Sequence, residues 1–312
     1  MADRILLIRF SAIGDLLLTA PIIDALVAQD HKITLLVKDR FRPTASLLHG
    51  VDHVRSWEAL KGESARSIAA QFDRIIDLQG TAQSKRFTTR QSIAVRTFSK
   101  PYLRRFLLLL TKNERYALTP VVDRYAEAAE VTLNTKSVYA FNLGAAKYSN
   151  SLVLIIGGSK KGKRLQLGQW IEIIKKVEHL NPILLGGPED APLAAALCQR
   201  FSNCHDATDT TVEQGLAIVK AANLVVSGDT GFMHAAALMN VPLVSIWAAT
   251  HPHLGFAPWP PRQNQRLILS SASSPISKHG NVPWWRSNPI QKVEVKEVLT
   301  AIAETLPDKI RP

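Results

Sequence analysis

Cysteine is nearly missing from this 312-residue sequence: Cys198 and Cys204 are the only two, so no framework of several disulfides can hold the fold. His205 beside Cys204 begins a metal-ligand spacing, but no second Cys/His cluster accompanies it. Free thiols in a reducing compartment are therefore the expected state. Long apolar runs are missing too. No stretch approaches the ~18 apolar residues of a membrane-spanning helix, and the best candidates are interrupted by Asp24 and by Asn240–Pro242. The opening run Ile5–Ile8 meets Arg9 at once, too soon for a secretory signal, so a cytoplasmic location is expected. No G-x-G-x-x-G follows any predicted strand, which argues against a dinucleotide-dependent oxidoreductase. The 17 prolines and 16 glycines are scattered, leaving no low-complexity linker.

What is present describes a globular protein with two cores. Hydrophobic residues make up 46% of the chain and charged residues 21%, and the length suits two α/β domains of about 150 residues each. The formal net charge is +12, and part of that excess is concentrated. Between Lys85 and Arg115 stand Lys85, Arg86, Arg90, Arg96, Lys100, Arg104, Arg105, Lys112 and Arg115 against the single acid Glu114. Such a block attracts a polyanion: nucleic acid, an anionic lipid surface or a phosphorylated glycolipid. It reads equally as a solvated helix face beside the apolar run Phe106–Leu110.

Short apolar runs alternate with longer amphipathic stretches, the pattern of parallel strands joined by crossover helices. In the first half, 5–10, 32–37 and 74–78 read as strands, and 14–29 and 123–133 as helices. A second series begins at Ser151. Strands are expected at 152–156, 182–185, 224–227 and 243–247, and helices at 169–178, 191–201, 212–221 and 230–239. A closing helix is expected at 293–306. The restart after Gly144–Asn150 places the domain boundary near 147, giving domains 1–147 and 148–290 followed by a closing segment 291–312.

In open α/β sheets, ligands bind at the carboxyl ends of strands, so the loops after strands are the places to search. Ser11-Ala12-Ile13-Gly14-Asp15 puts a carboxylate at a helix start, where it serves as a simple helix-starting acid, worth about 0.5–2 kcal/mol, or as a reacting group. Gly157-Gly158-Ser159-Lys160-Lys161-Gly162-Lys163-Arg164 nearly spells a P-loop, but Arg164 stands where a Ser/Thr would hold Mg²⁺. Its glycines and lysines still suit phosphate oxygens. Ser227-Gly228-Asp229-Thr230-Gly231-Phe232-Met233-His234 opens a helix whose first amides would point at an anion, or is a turn needed for tight strand–helix packing. Trp247-Ala248-Ala249-Thr250-His251-Pro252-His253 follows the next strand.

Taken together, these segments resemble glycosyltransferase family nine, whose best-known members are the lipopolysaccharide heptosyltransferases. "ILLIRFSAIGDLLLTAPIIDAL" is similar to the family's opening strand, Gly-Asp turn and helix. "KRLQLGQW" resembles its K-[RH]-W-P-x-x-x-W segment, and "LVVSGDTGFMHAAALMNVPLVSIWAATHP" its D-T-G-x-x-H-x-A-A loop, strand and T-D-P turn. The resemblance runs through nearly the whole chain in the right order and is strongest at 5–26 and 223–252. Two departures stand on the donor side: Leu165-Gln166 in place of Trp-Pro, and His251 in place of the acid of T-D-P.

The resemblance implies a GT-B fold: two Rossmann-like domains whose parallel sheets face a central cleft, acceptor on the first and nucleotide sugar on the second. It implies an inverting transfer without an obligatory metal and with no cofactor beyond the nucleotide sugar, expected to be ADP-heptose. Carried over by position, Asp15 matches the catalytic base and Lys163 the lysine on the donor phosphates. Asp229, Thr230, Gly231 and His234 match the diphosphate and sugar loop, and Ser159 lies in the donor-side loop. Glu189 matches an acid on the ribose, with neighbouring Asp190 an equal candidate. Arg86, Arg90, Arg104 and Arg105 are the expected contacts to an anionic glycolipid acceptor, which places the protein peripherally on the inner membrane. Two readings compete: a P-loop nucleotide hydrolase, which Arg164 disfavours, and a non-catalytic polyanion binder, which would have no use for Asp15 or Asp229.

Overall fold

The structure, a computed structural model, describes residues 2–60, 64–89 and 91–306. The elements in chain order are β1 (Arg4–Ile8), α1 (Ile13–Leu17), α2 (Ala20–Val27), β2 (Lys32–Val37), α3 (Arg42–Ala45), β3 (His53–Ser56), α4 (Ala65–Ala69), β4 (Arg74–Asp77), α5 (Ala82–Thr88), β5 (Ala94–Thr97), α6 (Tyr102–Thr111) and α7 (Val121–Ala129). They continue with β6 (Leu152–Ile155), α8 (Leu167–Val177), β7 (Ile183–Leu185), α9 (Ala191–Arg200), β8 (His205–Asp206), α10 (Val212–Lys220), β9 (Leu224–Gly228), α11 (Gly231–Leu238), β10 (Leu243–Trp247), β11 (Gln265–Leu269) and α12 (Val295–Thr305).

Two compact units result. The first comprises residues 1–101 with 119–142, and the second 102–118 with 143–312. The chain thus changes units three times, and the boundary read near 147 corresponds only to the last change. Helix α6, in the middle of the basic block, belongs to the second unit because Leu108 packs there with Leu118 and Leu254. Residues 307–312 of the expected closing segment lie outside the described residues.

Each unit is built on one parallel sheet, ordered β3-β2-β1-β4-β5 in the first and β11-β10-β9-β6-β7-β8 in the second. In both, the chain starts in the middle, winds to one edge, then returns to wind toward the other. The crossovers diverge between β1 and β4 in the first unit and between β6 and β9 in the second. A crevice opens outside the strand ends where they diverge. The central strands are buried over nearly their whole length, as helices on both faces require, and so read as unbroken apolar runs. Burial of each such Leu, Ile or Val contributes about 1.5–3 kcal/mol. In the second unit Trp170 of α8 and Val298, Ala301 and Ile302 of α12 complete the core over β6, β9 and β10.

The helix expected over 14–29 is instead two, α1 and α2. Pro21 has no amide hydrogen to give, and its ring blocks the carbonyl one turn back. The Thr19 hydroxyl takes up the Leu16 carbonyl at 2.6 Å at the break. Strands β3, β5, β8 and β11 are not among those expected from sequence. Their short or mixed segments HVRS, AVRT, HD and QRLIL sit at sheet edges, where one side stays wet.

Candidate active site

In the first unit, β1 ends on Ile8, Arg9 opens the loop that follows, and Asp15 stands in the first turn of α1. The Arg9 guanidinium is buried, donates to the Leu78 carbonyl at 2.6 Å and meets Asp15 Oδ2 at 2.5 Å, with side-chain exposures of 7% and 24%. Asp77, at the end of β4, lies fully buried on the other side of the divergence, its Oδ1 accepting the Gln79 and Gly80 amides at 2.9 Å each. Tyr125 of α7 lies under Arg9, whose guanidinium carbon is 5.6 Å from the ring centre. Burial opposes the charge on Arg9, yet its partners, Asp15 foremost, outweigh it and hold its pKa above the ordinary arginine value. Burial pushes the Tyr125 hydroxyl well above the ordinary tyrosine range, against Arg9 and with Asp15. The cluster therefore contains a fixed cation, a neutral phenol and one carboxylate, Asp15, that still reaches solvent.

The sequence pointed to Asp15 but not to Arg9, Asp77 or Tyr125. The signal was available for two of them. Arg9 and Asp77 are charges placed directly after runs of buried apolar residues in adjacent central strands. Charges so placed require partners, which mark the strand ends as places to search.

In the second unit, the loops after β6 and β9 come together at the divergence. Lys163 Nζ meets Asp229 Oδ2 at 2.7 Å, with side-chain exposures of 12% and 10%. Thr230 caps α11, its hydroxyl accepting the Met233 amide at 3.3 Å and sitting 2.9 Å from the Ser227 hydroxyl. The first amides of α11 and its dipole face the same region and favour an anion there. His234, one turn on, is buried and lies 6.4 Å ring to ring from Phe256. Ser159 is exposed on the loop after β6.

The glycines of that loop answer the P-loop question. A Cβ on Gly157 would lie 2.4 Å from Asp190 Oδ2, and one on Gly162 would lie 2.5 Å from both the Ala249 Cβ and the Gly280 carbonyl oxygen. These two glycines are needed where the loop packs closely against other parts of the protein. Arg164, at the hydroxyl position of a P-loop, pairs with Asp190 Oδ1 at 3.0 Å and with the Gly158 carbonyl. The same contacts separate the two ribose candidates. Asp190 is buried and also accepts the Gly187 amide at 2.9 Å, whereas Glu189 is exposed and lies 3.8 Å from Arg164.

The expected acceptor arginines do not gather in one unit. Arg86 is exposed on α5 of the first, whereas Arg104 and Arg105 are on α6 of the second. Arg90 lies outside the described residues. Of the two departures on the donor side, Leu165 is a core residue, so the change from Trp there alters packing. Gln166 accordingly starts α8, its amide donating to Gln169 Oε1 at 3.0 Å. The thiols of Cys198 and Cys204 are both held above the usual range by burial, Cys204 up to about 12, and no group of three or more potential metal ligands exists among the described residues.

His251 accepts the His253 amide at Nδ1, 3.1 Å away. Burial, then His253, lower its pKa from 6.5 to about 4. The unfolded chain takes up this proton below about pH 6.5, whereas the folded chain resists until about pH 4, so acidification through that window removes stability. Melts at about pH 7 and about pH 5 are expected to show a fall in Tm that is smaller in His251→Gln. An equal fall in both proteins would assign the acid sensitivity to other groups.

Residues 63–281 match the family model for glycosyltransferase family 9 (heptosyltransferase). Lipopolysaccharide heptosyltransferase 1 of Salmonella typhimurium is 24% identical, over 80% of this chain and 90% of that protein. A glycosyl transferase family 9 structure from Veillonella parvula superposes with a TM-score of 0.74 at 15% identity, over 97% of each chain. The E. coli ADP-heptose lps heptosyltransferase II does so with a TM-score of 0.70 at 18% identity, over 97% of this chain and 98% of that one. The structural likeness shows the fold: α/β, with two parallel sheets, of the GT-B class.

Proposed function

The chain belongs to glycosyltransferase family 9, and on that premise we propose that it moves heptose from ADP-heptose to a lipopolysaccharide or related cell-surface glycolipid, with inversion at the anomeric carbon and no required metal. The observation that carries this reading is the Lys163–Asp229 pair beside the Thr230-capped start of α11. It places a cation and a helix N-terminus at the point where the second sheet offers a crevice, as a departing nucleoside diphosphate requires. Named relatives support the donor: solved neighbours include an E. coli heptosyltransferase with ADP and the same enzyme with ADP-2-deoxy-2-fluoro heptose.

In the proposed reaction an acceptor hydroxyl attacks the anomeric carbon as the bond to the diphosphate oxygen breaks. Asp15 takes the hydroxyl proton, and Arg9 holds its carboxylate in one orientation. Lys163 and the amides at Thr230 and Gly231 stabilise the charge growing on the leaving phosphate. Glu189, which faces solvent, serves the ribose; Asp190 is committed to Arg164 and Gly187. Arg86, Arg104 and Arg105 supply cations for an anionic acceptor. Such an acceptor sits in a membrane, so we place the protein peripherally on the cytoplasmic face. No described helix is long and apolar enough to cross.

Calorimetric titration with ADP, ADP-heptose, UDP and GDP, without metal and with Mg²⁺, tests the reading. Metal-independent binding of ADP and ADP-heptose is the expected result. A preference for UDP or GDP would keep the reaction class and change the donor, while binding only with Mg²⁺ would overturn metal independence. If no nucleotide binds, the enzyme reading of this site fails.

A further inference from the structure

Helix α6 is turned the wrong way round for a soluble protein. Leu103, Phe106 and Leu110 fall at i, i+3 and i+7, and Tyr102 lies one turn before Phe106, so the four share one face within about 100° of arc. That face looks outward: Leu103 is 72% exposed, and Tyr102, Phe106 and Leu110 are exposed with it. The opposite face is the packed one, with Leu108 buried against Leu118 and Leu254. The helix is also tied down at its end, where the Lys112 ammonium donates to the carbonyls of Leu109 and Pro275.

A second exposed apolar element belongs to the same neighbourhood. The Lys112–Pro275 contact sets the end of α6 against the segment that carries Trp284 and Trp285 nine and ten residues on, and burial, then Arg286 directly after them, lowers the Lys112 pKa. These two rings meet edge to face at 5.6 Å, and Trp284 is 91% exposed. The charge around them has one sign. Residues 102–118 hold Arg104, Arg105, Lys112 and Arg115 against Glu114 alone, and no Asp or Glu occurs from Thr230 to Val293.

We infer that α6 and the Trp284–Trp285 turn form a membrane-docking surface on the second unit, inserting into the headgroup boundary of an anionic bilayer. Leucine and phenylalanine enter the acyl boundary, the tryptophans sit at headgroup depth, and the arginines meet lipid phosphates. The charge selects this occupant over others. A second copy of the chain would bring the same cations to a self-complementary contact, which like charges oppose. A nucleic acid offers bases to stack on rings but gives Leu103 and Leu110 nothing to bury against. The inference rests on the peripheral placement proposed above and adds the surface responsible.

The test uses the full-length protein and vesicles of equal parts phosphatidylglycerol and phosphatidylcholine, with pure phosphatidylcholine for comparison. Wild type is expected to partition onto the anionic vesicles, less so at high salt, with its exposed tryptophans quenched by lipids brominated near the headgroup. Leu103→Ser/Phe106→Ser and Trp284→Ser/Trp285→Ser are each expected to lose roughly tenfold or more in partitioning. Their Tm and ADP binding should stay unchanged, because these side chains already face solvent. Binding by wild type that both double variants retain in full would overturn the docking surface and leave peripheral attachment standing. Wild type that fails to bind at low salt would remove the peripheral placement, and the surface with it. If the variants instead abolish a concentration-dependent self-association and leave vesicle binding intact, the occupant is a second copy and the inference is wrong.

Discussion

Asp15→Asn is expected to lower the rate of sugar transfer by about 10²–10⁴-fold, the usual contribution of a general base, while ADP affinity stays close to wild type. The two halves of that expectation come from different parts of the chain. Asp15 lies in the first unit, in the first turn of α1, and the Lys163–Asp229 pair lies in the second. Asparagine keeps an oxygen for Arg9 but cannot take a proton. Arg9 is buried and donates to Leu78 whatever stands at position 15, so some stability will go with the lost charge. Breaking a buried ion pair outright costs about 3–5 kcal/mol, and Asp77 close by offsets part of that here. Steady-state rates should therefore be read together with a melt and an ADP titration on the same preparation. A variant that folds, binds ADP and transfers at the wild-type rate would remove Asp15 from the chemistry.

Much of this site was legible in the sequence, for a physical reason. A parallel sheet covered on both faces needs unbroken apolar strands, so Leu152–Ile156, Leu224–Ser227 and Leu243–Trp247 announce themselves, and the polar residues just after them are the ones at the crevice. That logic led to Asp15, Lys163, Asp229 and Thr230. It could not lead to Tyr125, because a tyrosine in an amphipathic helix reads as ordinary core until the fold lays it under Arg9. Nor could it separate Glu189 from Asp190, since both lie near Arg164 and they differ in burial and in the Gly187 amide that Asp190 accepts, which no spacing rule supplies. Strand β11 escaped because its alternating QRLIL is an edge pattern among turn residues. The placement of α6 escaped for a related reason. Its amphipathic sequence says that one face is apolar, but only the contact of Leu108 with Leu254 says which unit it joins, and that most of the apolar side is left uncovered.

Lys163→Ala is expected to weaken ADP binding by roughly 10- to 150-fold, the equivalent of one charge-assisted hydrogen bond at about 1.5–3 kcal/mol. The single variant is ambiguous, because it also leaves Asp229 as a nearly buried carboxylate without its cation. That uncompensated charge destabilises the loop and by itself repels a diphosphate. Asp229→Asn separates the two effects. If Lys163 serves only as a structural counter-ion, the double variant Lys163→Ala/Asp229→Asn should bind ADP as well as Asp229→Asn does, since the repelling charge is gone. If Lys163 touches the donor phosphate, the double variant should recover much of the lost stability yet remain about 10-fold or more weaker than Asp229→Asn. The second outcome is the one expected, for the Lys163 ammonium is already held 2.7 Å from a carboxylate oxygen beside the start of α11. A phosphate oxygen arriving at those amides meets a cation already held in place, so little ordering is left for the ligand to impose.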